Sequence, residues 1–299
     1  MNDRRADTRH ASPFDLGLVA IAALAFATSS PLAKAARDLD PLAIGAGRCL
    51  VAAIAIALIF SRETYRRVAL LSVRSKLRLV GAGALLGLHF GLFLFGLAHT
   101  SLSAAASLVS LEPVAVIVGA LVAFGARPTP RELGGVLVAA AGAAWIGHAA
   151  GEGENRLLGD LAVVGAVAVY GAYVMAARAM KHEIDGWPYA GAVYLVAAIL
   201  LAPFGIFFAS HDPAPRPIAW LWVVLLGIVP TMIGHTLVQR SARHVHASIV
   251  ALISPGETVG SIGIGIALQG TRPTKDEWLG AALVIFGAIL AVWKRSDRT

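Results

Sequence analysis

A single cysteine, Cys49, occurs in 299 residues, so no intrachain disulfide, cysteine-based zinc cage or redox pair can form. Charge is scarce too: Asp, Glu, Lys and Arg make up 14% of the chain against 57% hydrophobic residues, and the mean hydropathy is +0.73. That is too apolar for a water-soluble fold of this size, which must cover itself with polar side chains. Acids are scarcer than bases, 18 against 25, but the bases fall between apolar segments and form no stripe, which excludes a nucleic-acid-binding face. No Walker-type phosphate loop, His-Glu-x-x-His pair or nucleophile motif occurs. ATP drive, a metal centre and a resident cofactor are therefore not expected, and neither is a catalytic residue.

What the chain has in abundance is long apolar runs. Segments near 14–34, 41–61, 77–98, 102–124, 130–149, 159–180, 187–209, 218–240, 246–268 and 275–293 are each long enough to cross about 30 Å of hydrocarbon as helix. The expected fold is an all-α integral membrane bundle of ten helices, with both termini on the same side. Placing the N-terminus in the cytoplasm puts 18 bases inside: Arg4, Arg5, Arg9, Arg62, Arg66, Arg67, Arg74, Lys76, Arg78, Arg127, Arg131, Arg178, Lys181, Arg240, Arg243, Lys294, Arg295 and Arg298. Six lie outside (Lys34, Arg37, Arg156, Arg216, Arg272, Lys275), and Arg48 falls within a span. The positive-inside rule then sets both termini in the cytoplasm.

The two halves are copies. At an offset of 145 residues, Asp15-Leu16 falls on Asp160-Leu161, Glu112 on Glu257, and Gly125/Arg127-Pro128-Thr129 on Gly270/Arg272-Pro273-Thr274. Glu132 then falls on Glu277, Gly135 on Gly280 and Gly142 on Gly287, giving 13 identities over the 44 positions from Leu102 to Trp145. Five spans per copy is an odd number, so the copies are expected to be inverted. The domains read as a tail at 1–13, repeat 1 at 14–149, an extracytoplasmic linker at 150–158, repeat 2 at 159–293 and a tail at 294–299. The first span has the flanks of a cleavable leader, but it aligns with the sixth, so it is expected to be retained. Asp276 and Glu277 read as acids that offset the bases of an outward-facing loop.

Inside the spans, Pro31, Pro113, Pro203, Pro230 and Pro255 interrupt helices, and such interruptions persist where the helix faces protein or a wet cavity. Pro113 and Pro255 stand in corresponding spans beside Ser110, Glu112, Ser254 and Glu257, which is the best sequence pointer to a transport site. Either carboxylate could meet a substrate ammonium or couple a proton. Either could instead be structural, with Arg48 as its cation or Arg48 holding a substrate carboxylate. His89 and His235 occupy corresponding depths and read as polar cavity walls or satisfied core histidines. Phe93, Tyr170, Tyr173, Thr28 and Ser29 complete the candidate lining, with Pro31, Pro113, Pro230 and Pro255 as kinks or gates. Gly83, Gly87 and Gly91, with Gly256 and Gly260, read as helix-packing faces.

The pattern carried by Leu111-Glu112-Pro113-Val114, Gly125, Arg127-Pro128-Thr129 and Gly135/Gly142, and repeated at Ile253 to Glu257, Gly270 to Lys275 and Trp278 to Gly287, resembles the drug/metabolite transporter superfamily. Within it the likeness is to the EamA-type exporters, most of all the amino-acid and aromatic amino-acid group. The resemblance spans residues 14 to 293. It implies a plasma-membrane exporter of small metabolites, with a central cavity between two inverted five-helix repeats. Where the family often has Gly-Glu after the fourth and ninth spans, this chain has Gly125-Ala126 and Gly270-Thr271. The expected partners are a small-molecule substrate and the lipid bilayer, with the chain acting as a monomer and without nucleic acid. The alternatives are a carrier of lipophilic cations or nucleotide derivatives, or an intramembrane enzyme using His and Glu.

Overall fold

The computed structural model describes residues 13–125, 127–149, 155–180, 182–184, 186–207, 215–238 and 253–292. Arg4, Arg5, Arg9, Lys181, Arg240, Arg243, Lys294, Arg295, Arg298 and the first residues of the ninth expected span lie outside them, as do most of the linker and both tails. Among the described residues the chain is helical, without strand. The helices are α1 Pro13–Ala27, α2 Ser29–Ala35, α3 Pro41–Ala69, α4 Val73–Ala98, α5 Leu102–Val109, α6 Glu112–Phe124, α7 Pro130–His148 and α8 Leu157–Ala179. They are followed by α9 Gly186–Phe207, α10 Pro217–Leu226, a π-helical segment Gly227–Gly234, α11 Ile253–Gln269 and α12 Lys275–Val292. Among the described residues seven stretches have the length and hydropathy of a membrane span: Gly17–Ala35, Pro41–Phe60, Val73–Ala98, Leu102–Ala123, Leu157–Ala179, Gly186–Ile206 and Pro217–Val238.

The helix starts follow their capping chemistry. Asp40 Oδ1 accepts from Leu42 N at 2.8 Å at the head of α3, and Ser72 and Ser101 cap α4 and α5. The duplicated Thr-x-x-Glu forms a capping box in both copies: Thr129 with Glu132 at α7 and Thr274 with Glu277 at α12. Glu277 is therefore a cap inherited by both repeats rather than a counter-charge for a loop, and Asp276 accepts the indole N–H of Trp145 at 2.9 Å. Gly125 and Gly270, at φ 66° and 67°, end equivalent helices in the left-handed conformation that glycine adopts without strain.

Three expected spans are broken, each at a proline, because proline cannot donate to the carbonyl four residues back and its ring crowds it. Pro31 separates α1 from α2, Pro113 separates α5 from α6, and Pro230 lies in the π-helical segment. The three freed carbonyls are Ala27 O, Val109 O and Leu226 O. Each is taken by a hydroxyl: Ser261 Oγ at 2.9 Å, Ser254 Oγ at 3.2 Å and Thr231 Oγ1 at 2.7 Å. In hydrocarbon such satisfaction from neighbouring side chains is what makes the break tolerable. The second expected span runs on as α3 to Ala69, bending at Phe60 (φ −126°, ψ 27°), where Phe60 stacks on Trp187 and the exposed Arg62 and Arg66 follow.

Helix packing exchanges the two halves. α3 lies on α9 and α7 on α12, while the pairing of α4 with α8 is matched by α1 with the π-helical segment, and that of α6 with α8 by α1 with α11. On the α7–α12 axis the duplicated glycines meet in antiparallel register. A methyl on Gly135 would come within 2.3 Å of Ala291 N and 2.6 Å of Gly287 O, and one on Gly142 within 2.9 Å of Gly280 O. Gly83 meets Val196 and Gly87 meets the Ala197 backbone, so these glycines are packing faces as expected. Contacts between turns gather at the two ends of the bundle. One end joins Lys34 to Thr100, Asp38 to Arg216, Gln269 to Pro31 and Trp145 to Asp276; the other joins Arg78 to Glu183.

Candidate functional site

A buried cavity lies where the broken helices converge, lined by Phe26, Ser29, Arg48, His89, Phe90, Phe93, Val109, Glu112, Tyr170, His235 and Glu257. Its free volume is about 30 Å³, room for one or two water molecules. Seven of the residues singled out in the sequence meet there: Ser29, His89, Phe93, Glu112, Tyr170, His235 and Glu257. The remaining four do not line it. Thr28 donates to Ala25 O within its own broken helix at 2.7 Å, and Ser254 is held on the Val109 carbonyl freed by Pro113. Ser110 is hydrogen-bonded to Thr258 at 2.5 Å, and Tyr173 is buried in the core around α3, α4 and α9. Of the four prolines, Pro31, Pro113 and Pro230 mark the breaks that bring the lining together, and Pro255 sits in the first turn described for α11.

Arg48 anchors the charge pattern. It is 1% exposed and donates from Nε to Thr231 Oγ1 at 2.9 Å, with its guanidinium carbon 4.1 Å from the centre of the Phe90 ring. Thr231 is itself fixed by its bond to Leu226 O and by Tyr194, whose hydroxyl donates to Thr231 O at 3.1 Å. The Pro230 break therefore builds the seat for the arginine. Arg48 does not close an ion pair with Glu112, as the sequence allowed: its Nε is held by Thr231 and its guanidinium lies over Phe90. Its Nη1 is buried with no hydrogen-bond partner. A buried guanidinium N–H left unpaired is costly, and such a donor is satisfied by an anion.

The carboxyls are the repeat-equivalent Glu112 and Glu257; Glu112 stands in the first turn of α6, where the helix dipole favours negative charge. Both line the cavity together with Arg48. The aromatic wall is continuous: His89 lies 5.2 Å from Phe90 and from Tyr170 and 6.4 Å from Phe93, while His235 meets Phe26 at 4.8 Å and Phe90 at 5.7 Å. His89 Nδ1 donates to Ala166 O at 2.9 Å, leaving Nε2 as the free ring nitrogen. Among the described residues no group of three or more His, Cys, Asp or Glu side chains could hold a metal.

Phe26 was not visible as a site residue in the sequence, and Thr231 was not visible as the support of Arg48. The available signal for Thr231 was its place beside a proline, whose freed carbonyl needs a donor. A roomier cleft, about 430 Å³, lies between α3, α9 and α10. It is walled by apolar side chains such as Leu50, Ile199 and Trp220, with Asp38 already bound to Arg216 and Asp40 already capping α3. It lacks the convergent polar groups that fix a ligand.

A bundle of broken apolar helices, built from two copies that share one polar cavity, defines a multi-pass membrane protein of the transporter class. The chain belongs to the EamA-like transporter family, whose model matches it twice, over residues 15–147 and 157–293. Members of that family are transporters, not enzymes. No curated protein sequence matches the chain. Eighteen chains of solved structures do, among them one titled only as a crystal structure of a protein. It is 19% identical, with a TM-score of 0.65 over 94% of this chain and 98% of that one, and it shows a shared fold.

Proposed function

We propose that the chain is a secondary exporter of small zwitterionic metabolites, amino acids and aromatic amino acids first among them, working by alternating access across the inner membrane. The observation that supports this is the unpartnered Nη1 of buried Arg48 in the same cavity as Glu112 and Glu257. A zwitterion brings a carboxylate to the arginine and an ammonium to an acid, and Phe26, Phe90, Phe93 and Tyr170 offer faces for an apolar or aromatic side chain. A free volume of about 30 Å³ is far too small for an amino acid, so this is a closed form and loading requires the helices to part. In this reading the helices make ten crossings with both termini cytoplasmic, following the distribution of Lys and Arg, and the two repeats are inverted.

The test is counterflow in proteoliposomes holding the purified protein. Saturable exchange of a labelled amino acid, lost in Glu112→Gln while the protein stays folded, is the expected result. The pair of acids in an aromatic pocket also favours a lipophilic cation. Saturable flux of such a cation with none for any amino acid would overturn the substrate assignment.

A further inference from the structure

Away from the cavity, a second polar cluster is buried at the end of the bundle that carries Lys34 and Arg216. Thr100, in the turn between α4 and α5, has its hydroxyl oxygen 2.7 Å from Asp160 Oδ1 and 2.9 Å from Asn155 Oδ1. Thr100, Asn155 and Asp160 are 1%, 1% and 3% exposed. Asn155 is oriented by its Nδ2, which donates to Ile146 O at 3.3 Å. Turning the amide over would set its oxygen against that carbonyl. Both contacts on the Thr100 hydroxyl have hydrogen-bond length, yet they join three oxygens that carry one hydrogen between them. Asp160 Oδ2 has no partner at all.

We infer that Asp160 is a proton-binding site, and that the bound proton holds this end of the bundle closed. With the hydrogen on Asp160 Oδ1 every contact is accounted for: Asp160 donates to Thr100, Thr100 donates to Asn155 Oδ1, and Asn155 donates to Ile146 O. The unpartnered Oδ2 is then a neutral carbonyl oxygen, far cheaper to bury than half of a carboxylate.

The surroundings make the proton consequential. Glu277 of α12 acts on Asp160 as a like charge and is held by Ser101, the residue after Thr100. From α2, Lys34 Nζ donates to Thr100 O at 2.8 Å. Among the described residues, His99, which closes α4 on Phe95 O, and Arg156, whose carbonyl accepts from Asp160 N, are further titratable groups beside it. Gly159 lets α8 press on the end of α4, since a methyl there would come within 2.6 Å of His99 C. Loss of the proton would remove one hydrogen bond from the joint between α4, α5 and α8 and place two like charges beside it. On the proposed orientation this joint is the extracytoplasmic closure.

The experiment reads the proton and not transport, so it stands apart from the substrate assignment. In Asp160→Asn the amide N–H replaces the acid hydrogen toward Thr100, whereas Asp160→Ala removes it. A carboxyl protonated when folded and ionised when unfolded makes stability fall as pH rises. Wild-type Tm in detergent is expected to fall with rising pH relative to Asp160→Asn, which keeps its fold and loses that component, while Asp160→Ala is destabilised at every pH. Parallel pH profiles for wild type and Asp160→Asn would overturn the assignment, as would an Asp160→Asn protein as unstable as Asp160→Ala. As a check needing no variant, infrared spectra of wild-type protein with carboxyl-labelled aspartate should show an isotope-shifted protonated-acid band at mildly acid pH that fades as the pH is raised, and its absence would also overturn the proposal.

Discussion

Arg48 is the residue on which the chemistry of the cavity turns. A buried guanidinium that is bonded to one hydroxyl, stacked on one ring and left with a free N–H keeps hydrogen-bonding capacity for a ligand. A hydrogen bond to a charged group contributes about 1.5–3 kcal/mol, and about 1.4 kcal/mol is tenfold in affinity. Arg48→Met is therefore expected to weaken binding of a carboxylate-bearing substrate by roughly 10- to 100-fold, while a cation lacking a carboxylate is affected far less; isothermal titration with paired ligands checks this. Ser254 makes the contrasting case. It sits on the Val109 carbonyl, so Ser254→Ala should lower stability by about 1–3 kcal/mol through an orphaned buried acceptor, read as a drop in Tm. The sequence brought out Arg48, Glu112 and Glu257 because charge inside an apolar run is conspicuous. Ser254 and Thr28 looked like lining for the same reason. A hydroxyl aimed at a ligand and one aimed at a proline's lost carbonyl have the same local sequence.

At the scale of elements, the apolar runs were legible in outline, because span length and proline chemistry are local. The breaks at Thr28 and at Ser110-Leu111 followed from Pro31 and Pro113. The π-helical segment Gly227–Gly234 did not, since hydropathy is continuous through it and Pro230 alone does not say how the helix will accommodate it. The extension of α3 past Phe60 was also hidden, because a helix that leaves the hydrocarbon keeps its hydrogen bonds while its sequence turns basic. The axis of α7 and α12 gives a test with an internal control. Gly135→Ala drives a methyl into the Ala291 backbone, whereas a methyl on Gly134 meets nothing within 4 Å. Overpacking costs about 1–3 kcal/mol, so Gly135→Ala should lower Tm in detergent and Gly134→Ala should not.

For the whole molecule, the repeat read from the sequence reappears as an exchange of contacts, including ones no alignment displays. Asp38 and Glu183 stand 145 residues apart, and each binds an arginine of the other repeat at opposite ends of the bundle, Arg216 and Arg78. Both carboxyls are held below their ordinary range, Asp38 by its hydrogen bond to Arg216 and Glu183 by Ser75 first and then Arg78. A depressed carboxyl stabilises the fold above the ordinary carboxylate range and loses that contribution as pH falls through its own lowered value. Asp38→Asn and Glu183→Gln should each remove a small acid-side loss of Tm and leave alkaline stability alone. What the sequence could not convey was which polar residues would serve as supports of the cavity, since that depends on contacts such as Arg48 with Thr231, 183 positions apart.

Alternating access, as proposed, requires that the cavity be reached from each side of the membrane in turn. Cys49 is buried and the only cysteine, so a Cys49→Ala background carrying Ser29→Cys places one thiol on the cavity wall. Labelling by a membrane-impermeant thiol reagent should proceed in both right-side-out and inside-out vesicles and be slowed by substrate in both. Reaction from one face alone, with or without substrate, would contradict the account.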